Sequence, residues 1–221
     1  MHVTLSDRSV LHAQGRGTAW SVWDGAVALA KYLESSRHTV PNTSTSTELI
    51  DQACKVTQIK PSRILELGSG TGLAGLAAAA VFRVPVILTD LPEALPALHR
   101  NVQANQGLAS LVTVTACDWN RPQDWENGII NENKPFDLIL VADCVWVDHL
   151  VEPLVHSLRL LATPEETIIL LSHQPRSARV DDKLFALLEE WFSIKEIEET
   201  QDTDRGPIRI FWLTVQGKET T

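Results

Sequence analysis

Apolar and polar positions alternate along the chain in blocks. Short apolar runs at Arg63–Leu67, Val84–Thr89, Leu111–Thr115, Phe136–Ala142 and Thr167–Ser172 read as strands covered on both faces. Between them lie stretches with helical spacing: Gly72–Phe82, Pro92–Gln106, Asp148–Ala162 and Ala178–Trp191. Such alternation predicts a mostly parallel sheet with helices on both faces. Two further strands, Phe192–Ile197 and Ile208–Val215, are separated only by the turn-rich TQDTDRGP. With no crossover helix between them they predict an antiparallel hairpin at or near a sheet edge. The expected architecture is α/β and Rossmann-like, with seven strands, in one domain over residues 1–221. Residues 1–60 supply an N-terminal extension with helices, and 61–221 the core.

The extension is less regular. Weak strand-like pieces fall at Val3–Leu5 and Ser9–Gln14. Asp24 reads as the N-cap of a helix carrying Val27, Leu29, Ala30 and Leu33 at helical spacing. The Ser/Thr-rich segment 35–47 reads as a loop, and Glu48–Gln58 as a second helix stopped before Pro61. Before the fourth strand of the core, the polar NRPQDWENGIINENKP also reads as a loop.

Composition narrows the class. Of 221 residues 44% are hydrophobic, enough for a sizeable core, and the net charge is −9. That balance gives no general attraction to nucleic acid or an anionic membrane, and suits a basic partner better. Three cysteines, Cys54, Cys117 and Cys144, match no disulfide or zinc spacing, so reduced thiols in the cytoplasm or nucleus are expected and no metal site is. The opening MHVTLSDRSVLHAQ has no signal-peptide core. The longest apolar run, Ala74–Phe82, falls well short of the roughly 20 residues of a membrane span and reads as a buried helix.

The strongest local signal is RILELGSGTGLAGLAAAA. A strand runs into Gly68, Gly70 and Gly72, and a helix follows at once. Glycines there let the backbone turn sharply and approach a ligand, while the helix start presents free N–H groups. Gly70, Gly72 and Gly75 also satisfy G-x-G-x-x-G, and Asp90 ends the next strand at the matching distance. Asp90 can accept bonds from both ribose hydroxyls, so the pattern predicts an adenosine-containing ligand without choosing NAD over S-adenosylmethionine. Capping the following helix is the plainer role for Asp90. Glu66 at the end of the first strand, and Asp118 and Trp119 after the third, fall at the carboxyl edge where ligands bind in such sheets. A carboxylate and a large ring there suit the amine and flat face of an adenine.

The segments VWDGAVALAKYLE, ILELGSGTGLAGLAAA, VILTD, DW and DLILVADCVW, in that order, resemble the seven-β-strand protein lysine methyltransferases of the methyltransferase-like group (methyltransferase family 16). The resemblance runs from about Ser21 to Leu171. It implies S-adenosylmethionine as cofactor and a protein presenting a lysine as substrate, handled by a monomer. It also implies that Trp23 packs against the methionine end and that Gly68, Ser69 and Gly70 approach the cofactor's backbone. Asp90 would hold the ribose, Trp119 line the adenine and Ala142 close the floor. Without the resemblance, Trp23 is a hydrophobic residue ahead of a helix cap.

The fourth strand ends on Asp143-Cys-Val-Trp146, where the family carries Asp-x-x-Tyr. A carboxylate ending a buried strand is costly unless a cation or N–H donors meet it. A carboxylate and a ring face beside a methyl donor suit a cationic amine, and Asp143 and Trp146 are the expected catalytic pair. An opposite charge favours the ammonium form, so Asp143 is expected to orient the lysine more than to deprotonate it. The loop holding His173, Gln174 and Arg176 lies at the same edge, and a solvated loop is its plainer reading. Three other readings stay open: a methyltransferase for a small amine or another protein side chain, a non-catalytic cofactor-binding relative, and an NAD-dependent dehydrogenase. The last has no Tyr-x-x-x-Lys set to support it.

Overall fold

The computed structural model describes residues 21–36, 60–129, 134–200 and 206–217. Helix α1 (Asp24–Ser36) precedes β1 (Ile64–Leu67), α2 (Leu73–Phe82), β2 (Val86–Asp90), α3 (Leu95–Ala104), the short α4 (Gln106–Ala109) and β3 (Val112–Ala116). There follow α5 (Pro122–Ile129), β4 (Leu138–Ala142), a 3-10 turn (Asp148–Leu150), α6 (Val151–Leu161), β5 (Ile168–His173), α7 (Ala178–Glu189), β6 (Phe192–Thr200) and β7 (Ile208–Val215). The strands form one sheet in the order β3-β2-β1-β4-β5-β7-β6. The first five are parallel, and β7 runs antiparallel to both β5 and β6.

Successive side chains on the central strands point to opposite faces. Leu65, Leu67, Ile139, Val141, Ile169 and Leu171 join one core cluster with Leu154 and Leu158 of α6 and Leu184 and Leu188 of α7. Ile64, Leu138, Leu140 and Leu170 join the other, with Leu29 and Leu33 of α1, Leu76 of α2 and Leu98 of α3. Both faces are therefore covered, which is why these strands read as continuous apolar runs. The expected fold class holds.

The polar segment before β4 contains a helix, not only a loop. Pro122 opens α5, and Trp125 and Ile129, one turn apart, are buried in the core. The Trp125 indole N–H donates to the Asp118 carbonyl at 2.8 Å, satisfying its polar handle. Asp24 is the first residue of α1 and not its cap. The Trp23 carbonyl accepts from Ala26 N–H at 3.0 Å and Val27 N–H at 3.2 Å. A carboxylate in the first turn still complements the helix dipole. The hairpin is present, but β7 lies inside it against β5, so β6 alone forms that edge. The pieces at Val3–Leu5, Ser9–Gln14 and Glu48–Gln58 lie outside the described residues, as does most of the 35–47 loop.

Candidate active site

A cleft opens at the carboxyl ends of β1, β2 and β4, with about 880 Å³ of empty space including its mouth. This is the ligand edge of a doubly wound sheet, where the strand order reverses. One wall is backbone. Gly68, Gly70 and Gly72 have φ of 62°, 52° and 78°, the left-handed region open to glycine at little cost. Gly72 N–H closes the loop on the Ser69 carbonyl at 2.7 Å. Two bonds stitch the loop to β2, from Ser69 N–H to the Thr89 carbonyl at 2.8 Å and from Thr89 N–H to Ser69 Oγ at 3.0 Å.

Asp90 stands at the tip of β2 beside that loop. Its Oδ2 accepts Gly70 N–H at 2.6 Å and its Oδ1 accepts Leu91 N–H at 2.7 Å. Burial pushes its carboxyl above the usual range, and the two N–H donors work against that shift. An ionised carboxylate offers about four acceptor sites, so two remain for hydroxyls in the cleft. Cys117 N–H donates to the Asp90 carbonyl at 2.9 Å, which brings Asp118 and Trp119 to the same rim. Asp118 Oδ1 is engaged by Asn120 through its backbone N–H at 3.0 Å and its side-chain amide at 3.2 Å. Trp119 presents its ring edge to the loop: a Cβ added at Gly68 would sit 3.1 Å from its Cζ2 and 2.8 Å from Cys144 Sγ. The Trp119 indole N–H is buried with no acceptor among the described residues.

The residues present fit an adenosine-type cofactor. The glycine backbone leaves room that a side chain would fill, Asp90 has free acceptor sites, and the Trp119 ring lines the same cleft. Ser69, Ala142 and Trp23 line the cleft as well.

Glu66 does not line the cleft. It shares the sheet face of Ile64, two residues earlier, and is 1% exposed beneath α2. A Cβ added at Gly75 would lie 2.7 Å from its Oε2. Burial, opposed by bonds from Ser69 and Gly75, pushes its pKa up to about 8. The cofactor contact expected of Glu66 at the strand end thus falls on a buried side chain outside the cleft lining.

The far wall is made of side chains. Asp143 follows β4 in a left-handed conformation, φ 54°, unusual for a residue with a Cβ. Its N–H continues the sheet ladder to the Ser172 carbonyl at 2.8 Å. Its side chain is fully buried and already has a cation: Arg176 Nη2 lies 2.6 Å from Oδ2. Gln174 N–H reaches Oδ1 at 3.3 Å. The Asp143 carboxylate, expected to receive an acceptor ammonium, already pairs with Arg176 of the β5–α7 turn, while the residue itself lines the cleft. Trp146 and Leu91 also line the cleft and are its most exposed large side chains, 41% each.

Arg176 is the residue that the sequence left in a solvated loop. The signal for it was the demand of a buried carboxylate for a cation, but nothing in the spacing selected which one. His173 is 2% exposed and bound to Asp181 through Nε2 at 2.8 Å, away from the cleft lining.

The strand order, the glycine turn after β1 and the cleft beside Asp90 define a Rossmann-like methyltransferase fold. The O-methyltransferase TomG from Streptomyces achromogenes, solved in complex with S-adenosylmethionine, superposes with a TM-score of 0.54 at 14% identity, covering 89% of this chain and 92% of that one. At that identity the match speaks for the fold alone. Residues 6–191 match the family model described as lysine methyltransferase, and the chain belongs to that family. It is 32% identical over 190 residues to the protein N-lysine methyltransferase METTL21A of Danio rerio, covering 85% of this chain and 75% of the relative. It is 29% identical over 188 residues to EEF1A lysine methyltransferase 3 of Mus musculus, covering 85% and 70%.

Proposed function

We propose that the cleft binds S-adenosylmethionine and that the protein methylates the side-chain nitrogen of a lysine in a protein substrate. The observation that carries this reading is a lysine methyltransferase sequence whose glycine turn and Asp90 meet at one cleft. When bound, the cofactor supplies an activated methyl group on a sulfonium, open to displacement by a neutral amine.

The chain's own contribution is binding and alignment. Gly68 to Gly70 bring backbone against the ligand, and Asp90 takes the ribose hydroxyls on its free acceptor sites. Trp119 supplies a flat wall. Ala142 is the small floor that lets the donor approach β4. On the acceptor side, Trp146 offers a ring face to the aliphatic stem of the lysine and, before deprotonation, to its ammonium. A free lysine has a pKa near 10.4, so a proton must leave before attack. Asp143, sealed by Arg176, does not take it, and solvent at the open mouth is the acceptor. The protein is expected to act as a monomer. The free thiols of Cys117 and Cys144 suit a reducing compartment, supporting a cytoplasmic or nuclear setting. Among the described residues no helix is long and apolar enough to cross a membrane.

The test is titration of the purified chain with S-adenosylhomocysteine in a calorimeter, paired with transfer of labelled methyl from the cofactor to extract proteins. Saturable binding and label on lysine are expected. A calorimetric trace without saturation sinks the cofactor reading, and label on another residue type sinks the acceptor.

A further inference from the structure

Glycine permits the loop after β1 without selecting it. A residue with no Cβ populates positive and negative φ about equally, so Gly68 is allowed its φ of 62° but is not held to it by its own chemistry. The hydrogen bonds that hold it converge on one residue of β2.

Thr89 is fully buried, precedes Asp90 and does not line the cleft. Its hydroxyl donates to the Glu66 carbonyl at 2.7 Å, on the chain ahead of Gly68. Its carbonyl accepts Ser69 N–H at 2.8 Å and its N–H donates to Ser69 Oγ at 3.0 Å, on the chain after Gly68. Both flanks of Gly68 are thus tied to the same residue, one by its side chain and the other by its backbone. Ser69 Oγ also reaches the Glu66 carbonyl, but at 3.4 Å, so the Thr89 hydroxyl is the short tie. It acts where the ladder gives out. Pairing between β1 and β2 ends at Glu66 with Leu88, and Leu67 pairs with Val141 of β4 instead.

The same stretch carries the ligand groups. Asp90 follows Thr89 and accepts Gly70 N–H at 2.6 Å. A loop fixed at both flanks keeps the Gly68–Gly70 backbone and the Asp90 carboxylate at one separation before any ligand arrives. A site ordered in advance loses less freedom on binding.

We propose that Thr89 is a positioning residue for the cofactor: its hydroxyl locks Gly68 in the left-handed turn and so presets the spacing between the glycine loop and Asp90. The inference rests on the reading that this cleft takes S-adenosylmethionine. Thr89 acts on the ligand only through Glu66, Ser69 and Asp90.

Three variants separate the hydroxyl from the methyl group: T89S keeps the first, T89V the second and T89A neither. The Kd for S-adenosylhomocysteine is measured by calorimetry well below each melting temperature. Deuterium exchange of the free protein is followed over residues 66–72, with β4 and β5 as internal references. T89V and T89A are expected to bind about tenfold more weakly than wild type, since small displacements of binding groups carry large penalties. Both should exchange faster over 66–72 while β4 and β5 stay as in wild type. T89S is expected to bind within about threefold of wild type, its loss reflecting a less restricted χ1. A residue that only fills space would give the opposite order, with T89V like wild type and T89S as weak as T89A. T89V buries a carbonyl that has lost its short donor, and where it does not fold, T89A against T89S decides, because the two differ by one oxygen. The proposal is overturned if T89V, or T89A in its place, binds within about twofold of wild type, if T89S loses as much as T89A, or if exchange over 66–72 is unchanged. Wild-type protein that fails to bind removes the cofactor reading itself, whereas wild type and hydroxyl-free variants that bind alike remove this inference alone.

Discussion

The two walls of the cleft are built on different principles. The β1–β2 wall is local: Gly70 and Asp90 are 20 residues apart, and the shape comes from left-handed backbone at three glycines. The far wall is assembled from distance: Arg176 and Asp143 are 33 residues apart, and Ser172 and Gly25 are 147. The first wall has little side chain to lose and little freedom to move. The second depends on ion pairing, so it tolerates change in steps. A binding site can thus have one side fixed by what the backbone is allowed to do and another by what its side chains find.

The backbone wall is the one that a single side chain can break. G68V places a branched side chain at φ 62°, against Cys144 Sγ and Trp119. Backbone strain alone is about 1–3 kcal/mol, and the clash adds to it. Loss of S-adenosylhomocysteine binding by about 100-fold or more is expected, read by calorimetry on protein that still melts cooperatively. D90A comes next. It strands the Gly70 N–H and removes the acceptors for the ribose, and charged hydrogen bonds are worth about 1.5–3 kcal/mol each. Binding about 10- to 100-fold weaker than wild type is expected. Equal affinity would mean that Asp90 only fastens the loop.

The same contrast explains what could be read from the sequence. The central strands were legible because burial on both faces leaves them no polar positions to blur the pattern. The glycine wall was legible because only glycine occupies such φ values freely, so the conformation is written in residue type. Glu66 stands at a strand end, yet strand period 2 puts it on the face of Ile64, under α2. Helix α5 was hidden because its apolar stripe is Trp125 and Ile129 alone, set in polar sequence. Arg176 could be demanded but not chosen, because pairing across 33 residues leaves no periodic trace.

Glu66 offers a prediction on stability. Burial raises its pKa from 4.5 to about 8, so the folded chain keeps a proton that the unfolded chain releases above pH 4.5. Its contribution to stability is fully present below about pH 4.5 and is lost as pH rises towards about 8. E66Q has no such proton to lose. The melting temperature of E66Q relative to wild type should climb by several degrees between pH 5 and pH 8, within about one pH unit of these limits. A difference that stays flat with pH would mean that Glu66 is ionised in the folded protein.

The smallest effect belongs to the most exposed part of the far wall. Trp146 is 41% exposed and stands at the mouth, so its removal leaves no buried group unpaired. W146A should therefore change the Kd for S-adenosylhomocysteine by no more than about twofold, while a lost ring face, worth about 0.5–1 kcal/mol at an exposed site, lowers methyl transfer by about two- to fivefold. W146Y restores a ring and adds a hydroxyl at the mouth, and transfer within about twofold of wild type is expected. Both are read as labelled methyl incorporated into the acceptor protein at saturating cofactor, with binding measured separately. If W146A lowers binding and transfer together, the ring belongs to the cofactor side of the cleft. If it lowers transfer alone, the mouth is where the acceptor is chosen, and the division between a backbone wall for cofactor and a side-chain wall for substrate becomes a division of labour in the reaction.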